Sequence, residues 1–565
     1  MTNTAQLALH AFDLGPLWLR FVAGVTAGAA TWIVAADYGC AILSRLGAFQ
    51  NAATRIAVGA AFGYALLGSA VGLLGLAKAI HPMTLQLLLI VPIVIRAPQH
   101  LQRLHSLHRF VVRTRDWLAR SDVVTLLAFV VIGLATGTAL INAALPAVWW
   151  DPVAYHLPLA AAAVWHSSFV FDPWMVQSGF PQLGEAAALP AYAIAGSAGA
   201  AMATLGAGLC AVVAVWALAE RLCAGAGAFA AMLASSSPLW AWLAPSFYVD
   251  VPFAMFVAAA VVAATELHVR TVPQLQTAAI VGALCGAAAA VKYTGLVAAV
   301  AVLALALWTV RGQRLKVLVG FFCGFALVAT GWYIRTYLLT GDPLYPFLSA
   351  VHSASPVARA FAVQYAYMTR HWCGGGTSLK DLLGLPYRLV AEPRGFCGDP
   401  GLALRVGIIL AIAAVSVLRS TRAIAVTGIA LTAFWFASSQ QWRFLLPAVL
   451  LYCAVVAAGV TAMSARLRLV SGIALALLGA VTVFANWIPR ATSHASASIV
   501  PAFAYMMGSQ SAVQYLDSRL ETFAAARWLA NNGISGDKIV ALDDVRDYYF
   551  PRGIRWANPY YQQAV

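Results

Sequence analysis

Two carboxylates and three cations stand at positions where this chain could do chemistry. Asp151 follows an apolar run and the aromatic pair Trp149-Trp150, and Tyr155-His156-Leu157-Pro158 comes soon after it. Asp250 sits on the very short hairpin Tyr248-Val249-Asp250, and Lys292-Tyr293 occupies another. Arg335 closes Trp332-Tyr333-Ile334-Arg335, and Arg443 closes Gln440-Gln441-Trp442-Arg443. A carboxylate can take a proton from an acceptor hydroxyl as general base. Arg and Lys can hold a phosphate and stabilise the charge that gathers on it as it leaves. Together such groups suit the transfer of a sugar from a phosphate-linked donor. Each also has a plainer reading. Asp250 precedes Val251-Pro252 and can cap a helix. Lys292 and Arg443 can snorkel toward lipid head groups. His156 and His166 suit structural or interfacial places.

The elements that must position these groups are membrane spans. Of 565 residues, 62% are hydrophobic and 10% are charged, against roughly 25% charged in a soluble domain. The solvent for so much apolar surface is lipid. The net charge of +15 does not indicate nucleic acid, because the basic residues sit in short clusters between apolar runs, as cytoplasmic loops do. A span needs about 20 apolar residues. Fourteen runs qualify or nearly so: 17–43, 56–78, 82–96, 122–147, 199–219, 224–244, 249–266, 277–291, 295–310, 316–337, 402–418, 423–438, 444–463 and 469–488. Residues 277–310 as one helix would be about 50 Å long, too long for a core of roughly 30 Å, so they divide at Lys292-Tyr293-Thr294-Gly295. No basic region precedes the first run, which therefore reads as a span and not as a cleaved signal peptide.

The basic segment 96–120 and the clusters Arg311/Arg314/Lys316, Arg419/Arg422 and Arg466/Arg468 fall on the cytoplasmic side. Segments 148–198, 339–401 and 489–565 then face outward with both termini. The first holds apolar stretches too short to span, which predicts interfacial helices. The last combines a helical pattern at Phe523–Asn531 with a short buried strand pattern at Ile539-Val540-Ala541-Leu542, a small α/β appendage. The fold class is therefore an all-α polytopic membrane protein with interfacial helices and this appendage. Six of the eight cysteines read as packing residues. Cys373 and Cys397 share an outward segment, where a disulfide is chemically at home. Gly374-Gly375-Gly376 neither follows a strand nor opens a helix, so it is a turn and not a phosphate loop. Asp37, inside the first span, is either functional or paired with a nearby Arg.

The hairpin motifs resemble the GT-C superfamily of membrane glycosyltransferases, which includes aminoarabinose transferases and dolichyl-phosphate-mannose-protein mannosyltransferase-like proteins. The resemblance covers about 122–490. It rests on Asp151-Pro-Val-Ala-Tyr155-His156-Leu-Pro158, Tyr248-Val-Asp250 and Lys292-Tyr293-Thr-Gly-Leu296. Further along it rests on Trp332-Tyr-Ile-Arg335 with Thr340-Gly-Asp-Pro-Leu-Tyr345-Pro346, and on Gln441-Trp-Arg443-Phe-Leu-Leu-Pro447. It implies inverting transfer from a polyprenyl-phosphate sugar, with Asp151 as base and Asp250 as second acid. Tyr155, His156, Lys292, Tyr293, Arg335 and Arg443 would bind substrate. Many relatives carry two adjacent acids in the first loop, whereas Pro152 follows Asp151 here. Metal use varies among relatives; no metal cluster is visible, and no cofactor is assigned beyond an optional divalent metal. The implied division is accessory helices and basic loop at 1–121, catalytic core at 122–488 and appendage at 489–565. The implied partners are the lipid-phosphate donor, an envelope lipid, glycan or protein acceptor, and membrane lipid, with no nucleic acid. The implied place is a bacterial inner membrane with a periplasmic site. A transporter or lipid flippase is the rival from another class, and an inactive scaffold is the third reading. Transporters place ionisable groups near the bilayer midplane, whereas nearly all the charges here, Asp37 excepted, fall at span ends.

Overall fold

The computed structural model describes residues 12–557 apart from 48, 50, 103–111, 113, 117–118, 120, 270–273, 311, 354, 403, 406–420, 488–498, 533–538, 543 and 552–554. The apolar runs fold as helices because no other backbone satisfies its polar groups in lipid. The first four are α1 (Leu17–Arg45), α2 (Ala52–Leu76), α3 (Pro82–Ile95) and α4 (Val123–Ala144), and α5 (Leu157–Trp165) is short. The centre of the bundle holds α6 (Leu183–Leu222), α7 (Gly227–Ser235), α8 (Pro238–Leu243), α9 (Asp250–Thr265) and α10 (Gln274–Val291). Then come α11 (Thr294–Thr309), α12 (Arg314–Thr340), α13 (Pro356–His371), α14 (Leu379–Ala391), α15 (Arg422–Ala437), α16 (Leu446–Thr461) and α17 (Ala465–Trp487). Among the described residues, nine helices are long and apolar enough to cross a membrane, and α3, α11 and α15 are shorter apolar helices. The chain is an all-α polytopic membrane protein. Helix α9 is buried along almost its whole length, while α12 and α17 expose leucines and phenylalanines.

Small residues let the helices touch. A Cβ added to Gly39 of α1 would lie 1.8 Å from the Gly59 carbonyl oxygen of α2, and one on Gly324 of α12 would lie 1.8 Å from the Ala279 oxygen of α10. Such contacts are the usual means of tight packing between helices in lipid.

Two expectations about spans change. The outward segment 148–198 ends early, because helix resumes at Leu183 and runs to Leu222 across a kink at Ala195-Gly196. Residues 183–193 are buried, so they are packed helix and not interfacial. They looked too short to span because the kink divides one run of 40 residues. The run 224–244 is not one helix but α7 and α8. Pro238 has no N–H and holds Ser237 in an extended conformation (ψ 131°). The run 402–418 lies mostly outside the described residues. Interfacial helices are clearest in 339–401, where α14 exposes Leu379, Leu382, Leu383 and Tyr387 along one stripe.

The kink carries a buried ionic knot. Asp13 Oδ1 accepts from the Ser197 N–H at 3.1 Å and the Ser197 hydroxyl at 2.7 Å, capping the second half of α6. Arg20 donates to Asp13 at 2.8 Å, to Ser197 Oγ at 3.0 Å and to the Ala144 carbonyl at 2.8 Å. Tyr548, near the other end of the chain, donates to Asp13 Oδ2 at 2.6 Å. At the far end of α1, Asp37 lies 3.2 Å from His100 Nε2, and Arg96 donates to its carbonyl at 3.1 Å.

The C-terminal part holds α18 (Ile499–Met506), α19 (Ala512–Arg519) and α20 (Phe523–Asn531), with β1 (Val540–Leu542) parallel to β2 (Arg555–Ala557). The strand expected to be buried is one-sided: Val540 and Leu542 are 57% and 73% exposed, while Ala541 is half-buried against the small cluster of Ala154, Leu159, Met175 and Val545.

Cys373 and Cys397 are disulfide-bonded, with Cα atoms 5.8 Å apart. Alkylation of denatured, unreduced protein is expected to leave both unmodified, and prior reduction to expose both. Labelling of either without reductant would contradict the bond.

Candidate active site

The loop after α4 builds the first half of the site. Pro152–His156 forms a π-helical turn, in which the Leu157 N–H bonds to the Pro152 carbonyl. Hydrogen bonding to the fifth residue widens the turn. Tyr155 and His156 therefore flank Asp151, where an α-helix would bring only Tyr155 beneath it. The Tyr155 hydroxyl donates to Asp151 Oδ2.

Arg443 supplies the counter-charge from the hairpin between α15 and α16. Its guanidinium bonds to the same Asp151 Oδ2, and its Nε donates to Gln441 Oε1 at 3.0 Å. It lies over the Tyr248 and Phe444 rings, 5.7 and 4.9 Å from their centres. The Lys292 ammonium sits 3.9 Å from the same Phe444 ring and donates to Asp250 Oδ1. Asp250 opens α9 but makes no capping bond, so the helix-cap reading gives way to an ion pair with Lys292. Lys292 also interacts electrostatically with Arg443 and Asp151. Two buried carboxylates and two half-buried cations thus form one cluster of zero formal charge, with both cations against the Phe444 ring.

Burial pushes the Asp151 carboxyl up, but the Arg443 charge, His156 and the Tyr155 hydrogen bond outweigh it and hold it below the usual range. Burial lowers Lys292 and prevails over the support from Asp250. Burial, then Asp151, pushes the Tyr155 phenol well above its ordinary value.

His156 points its Nδ1 at Glu185 Oε1, 2.8 Å away in the first turn of α6. Tyr293, beside Lys292, is ringed by Phe180, Tyr333 and Phe347, with centres 5.7, 6.1 and 5.9 Å away. Arg335 does not join the cluster. Its two terminal nitrogens donate to the Phe180 and Ser178 carbonyls at 3.0 Å each, tying that loop to α12. An apolar groove of about 340 Å³ opens between α11 and α12, lined by Leu296, Phe325, Ala329, Tyr333, Ile334 and Tyr337. Among the described residues, no three His, Cys, Asp or Glu side chains group as metal ligands.

Sequence reasoning missed Glu185, Phe444 and the Asp13–Arg20 pair. Glu185 carried a signal, being a lone carboxylate in an apolar stretch, which in lipid marks a functional candidate. Phe444 carried none, since an aromatic at a span end is ordinary.

Known proteins bear on this arrangement. Residues 191–334 match the profile of the family described as dolichyl-phosphate-mannose-protein mannosyltransferase. That segment contains Asp250, Lys292 and Tyr293 and stops one residue before Arg335, while Asp151 and Arg443 lie outside it. The match bears out, over that segment, the resemblance to membrane glycosyltransferases of the GT-C superfamily. No curated protein sequence matches the chain. Among solved structures it is similar to ArnT from Cupriavidus metallidurans bound to undecaprenyl phosphate. Identity is 15% and the TM-score 0.46, over 75% of this chain and 73% of that one. The Archaeoglobus fulgidus oligosaccharyltransferase is similar at 14% identity and a TM-score of 0.38, over 65% of this chain and 56% of that one.

Breaking one buried pair tests the cluster's energetics. Lys292→Met leaves the Asp250 carboxylate buried and uncompensated, a loss of about 3–5 kcal/mol. Adding Asp250→Asn is expected to restore most of it. Unfolding of the purified protein in detergent, read for both single variants and the double, checks this. A coupling below about 0.5 kcal/mol would count against the pair.

Proposed function

We propose that this chain is a membrane glycosyltransferase. It moves a sugar from a polyprenyl-phosphate donor to an envelope acceptor, a lipid, polysaccharide or protein, with its site facing the periplasm of a bacterial inner membrane. The observation that carries this reading is the closed set Asp151–Arg443 and Asp250–Lys292, with an apolar groove elsewhere between α11 and α12. The groove suits the donor's hydrocarbon tail, and the cations suit its phosphate. The sidedness rests on helix direction. Helices α12 and α15 begin at Arg314/Lys316 and Arg422 and run toward the end of the bundle where the site hairpins cluster. Basic ends stay in the cytoplasm, so the site faces out.

The chemistry follows from the pairs. Both bonds to Asp151 fall on Oδ2, which leaves Oδ1 to accept the acceptor's hydroxyl proton. That hydroxyl oxygen attacks the anomeric carbon from the side opposite the phosphate. The carbon–oxygen bond to phosphate breaks, its electron pair goes to the phosphate, and the sugar inverts. Arg443 and Lys292 stabilise the charge that develops on the leaving group. While Arg443 grips Asp151, the carboxylate is a weak base. A donor phosphate that draws Arg443 toward itself withdraws that restraint and strengthens the base when a substrate is present to use it.

The assay reads conversion of the polyprenyl phosphodiester to the monoester, with mass spectrometry of lipids and glycans from a deletion strain to identify sugar and acceptor. Asp151→Asn is expected to lower turnover by about 10²–10⁴-fold in protein that still folds and inserts. Arg443→Lys is expected to raise the donor KM more than the acceptor KM, because Lys has no planar fork for phosphate. If Asp250→Asn abolishes transfer while Asp151→Asn spares it, the two acids exchange roles. Normal transfer by both Asn variants would overturn the carboxylate-base mechanism, and absence of conversion by the unaltered protein would favour a transporter or flippase.

A further inference from the structure

The glycine run Gly374-Gly375-Gly376 follows Cys373, and the disulfide to Cys397 closes the loop that carries it. Its backbone wraps the side-chain amide of Gln440, which is 2% exposed. The Gly375 N–H donates to Gln440 Oε1 at 2.8 Å. Gln440 Nε2 donates to the Gly376 carbonyl at 3.2 Å and to the Phe436 carbonyl at 3.0 Å. The approach excludes a side chain: Gly374 has φ +90°, and a Cβ there would lie 2.3 Å from Gln440 Oε1. The far end of the same loop grips the hairpin two residues on. Buried Trp442 donates from Nε1 to the Pro393 carbonyl at 3.1 Å, and Phe396 packs on the Trp435 and Trp442 rings with centres 5.5 and 6.2 Å away. The Gly374 N–H, bonded to the Gly395 carbonyl at 2.7 Å, joins the two ends of the loop.

Arg443 comes directly after this doubly held stretch. Between the two grips, Gln441 accepts from Arg443 Nε at 3.0 Å through its side chain and from Trp435 Nε1 at 2.7 Å through its carbonyl. A guanidinium recognises phosphate through a planar fork, so its usefulness depends on the angle at which it is held.

We propose that Gln440, clasped by the glycine run, is a positioning residue that sets Arg443 for the donor phosphate; the proposal rests on the transferase reading above, in which Arg443 takes that phosphate. Gln440 acts through the hairpin and not on the ligand. The disulfide belongs to the same device, because it keeps the ends that hold Gln440 and Trp442 together. The plainer account is a loop brace that stabilises the fold without regard to ligand. A brace changes unfolding alone. A positioning residue changes phosphate affinity in folded protein, and its effect vanishes once the Arg443 fork is gone.

The test uses full-length protein in detergent, with a polyprenyl monophosphate as the probe, tryptophan fluorescence as the binding readout, and the unfolding transition as the check on folding. Gln440→Met is expected to raise the Kd of the probe about tenfold, within the roughly hundredfold that a displacement of about 1 Å can cost. In the conversion assay it is expected to raise the donor KM more than the acceptor KM. Gly374→Ala, which pushes the loop off the amide, is expected to act in the same direction, as is the pair Cys373→Ser with Cys397→Ser; either serves if Gln440→Met does not fold. In Arg443→Lys protein, Gln440→Met is expected to add less than about twofold, because two changes on one path are not additive. An unchanged Kd in folded Gln440→Met and Gly374→Ala overturns the proposal, and so does a full tenfold loss on top of Arg443→Lys. If the unaltered protein converts the phosphodiester, either result removes the positioning role alone. If the variants weaken the probe as expected but the unaltered protein converts nothing, the positioning role stands and the transferase reading falls.

Discussion

The ion pair between Asp151 and Arg443 joins residues 292 positions apart, and the architecture of the site depends on it. Each group alone would be a charge taken out of water at a lipid boundary, which costs several kcal/mol. Together with Asp250–Lys292 they neutralise one another, so four separate hairpins must converge for any of them to be tolerable. The convergence is reinforced from outside. The disulfide-closed loop is strapped to the Arg443 hairpin where Gly375 N–H donates to Gln440 Oε1 at 2.8 Å and Trp442 Nε1 donates to the Pro393 carbonyl at 3.1 Å. The C-terminal segment reaches the Asp151 turn, with the Tyr548 N–H on the Val153 carbonyl at 3.2 Å and Arg546 over the Trp150 ring at 4.9 Å.

A second knot holds the scaffold. Asp13 satisfies the backbone of α6 at its kink, Arg20 reaches from α1 to the end of α4, and Tyr548 closes the set from the C-terminal segment. A kink frees backbone groups that lipid cannot satisfy, so a side chain must cap them. Gly196 allows that approach: its φ is +52°, and a Cβ there would lie 2.8 Å from Asp13 Oδ1. Helix α1 therefore has a structural task at the core of the bundle beyond any surface it offers.

The helices were largely legible because a long apolar run in lipid has few alternatives. Breaks were less so. The kink at Ala195-Gly196 and the split at Pro238 depend on which neighbour satisfies the freed backbone, and sequence spacing does not carry that. The candidate site was legible as a set of hairpins but not as pairs. Nothing in the sequence says that Arg443 takes Asp151 and Lys292 takes Asp250, or that Arg335 spends its donors on two carbonyls. Polar residues at span ends mark the side on which chemistry can happen. Their partners are set by helix packing and by a π-turn that no local motif announces.

These restraints weigh on the choice between enzyme and transporter. Alternating access rocks one group of helices against another around a central site. Here the end of the bundle that holds the charged cluster is tied in three directions at once. The disulfide loop binds the Arg443 hairpin, the C-terminal segment binds the Asp151 turn, and the Asp13–Arg20 knot binds α1, α4 and α6. Opening that end would separate buried ion pairs with nothing to replace their partners, a loss of several kcal/mol for each. A phosphate would replace a carboxylate as partner to Arg443 without any such opening. The arrangement therefore favours a fixed pocket in which charge is exchanged between ligand and side chain, which is what group transfer needs and what alternating access would have to undo.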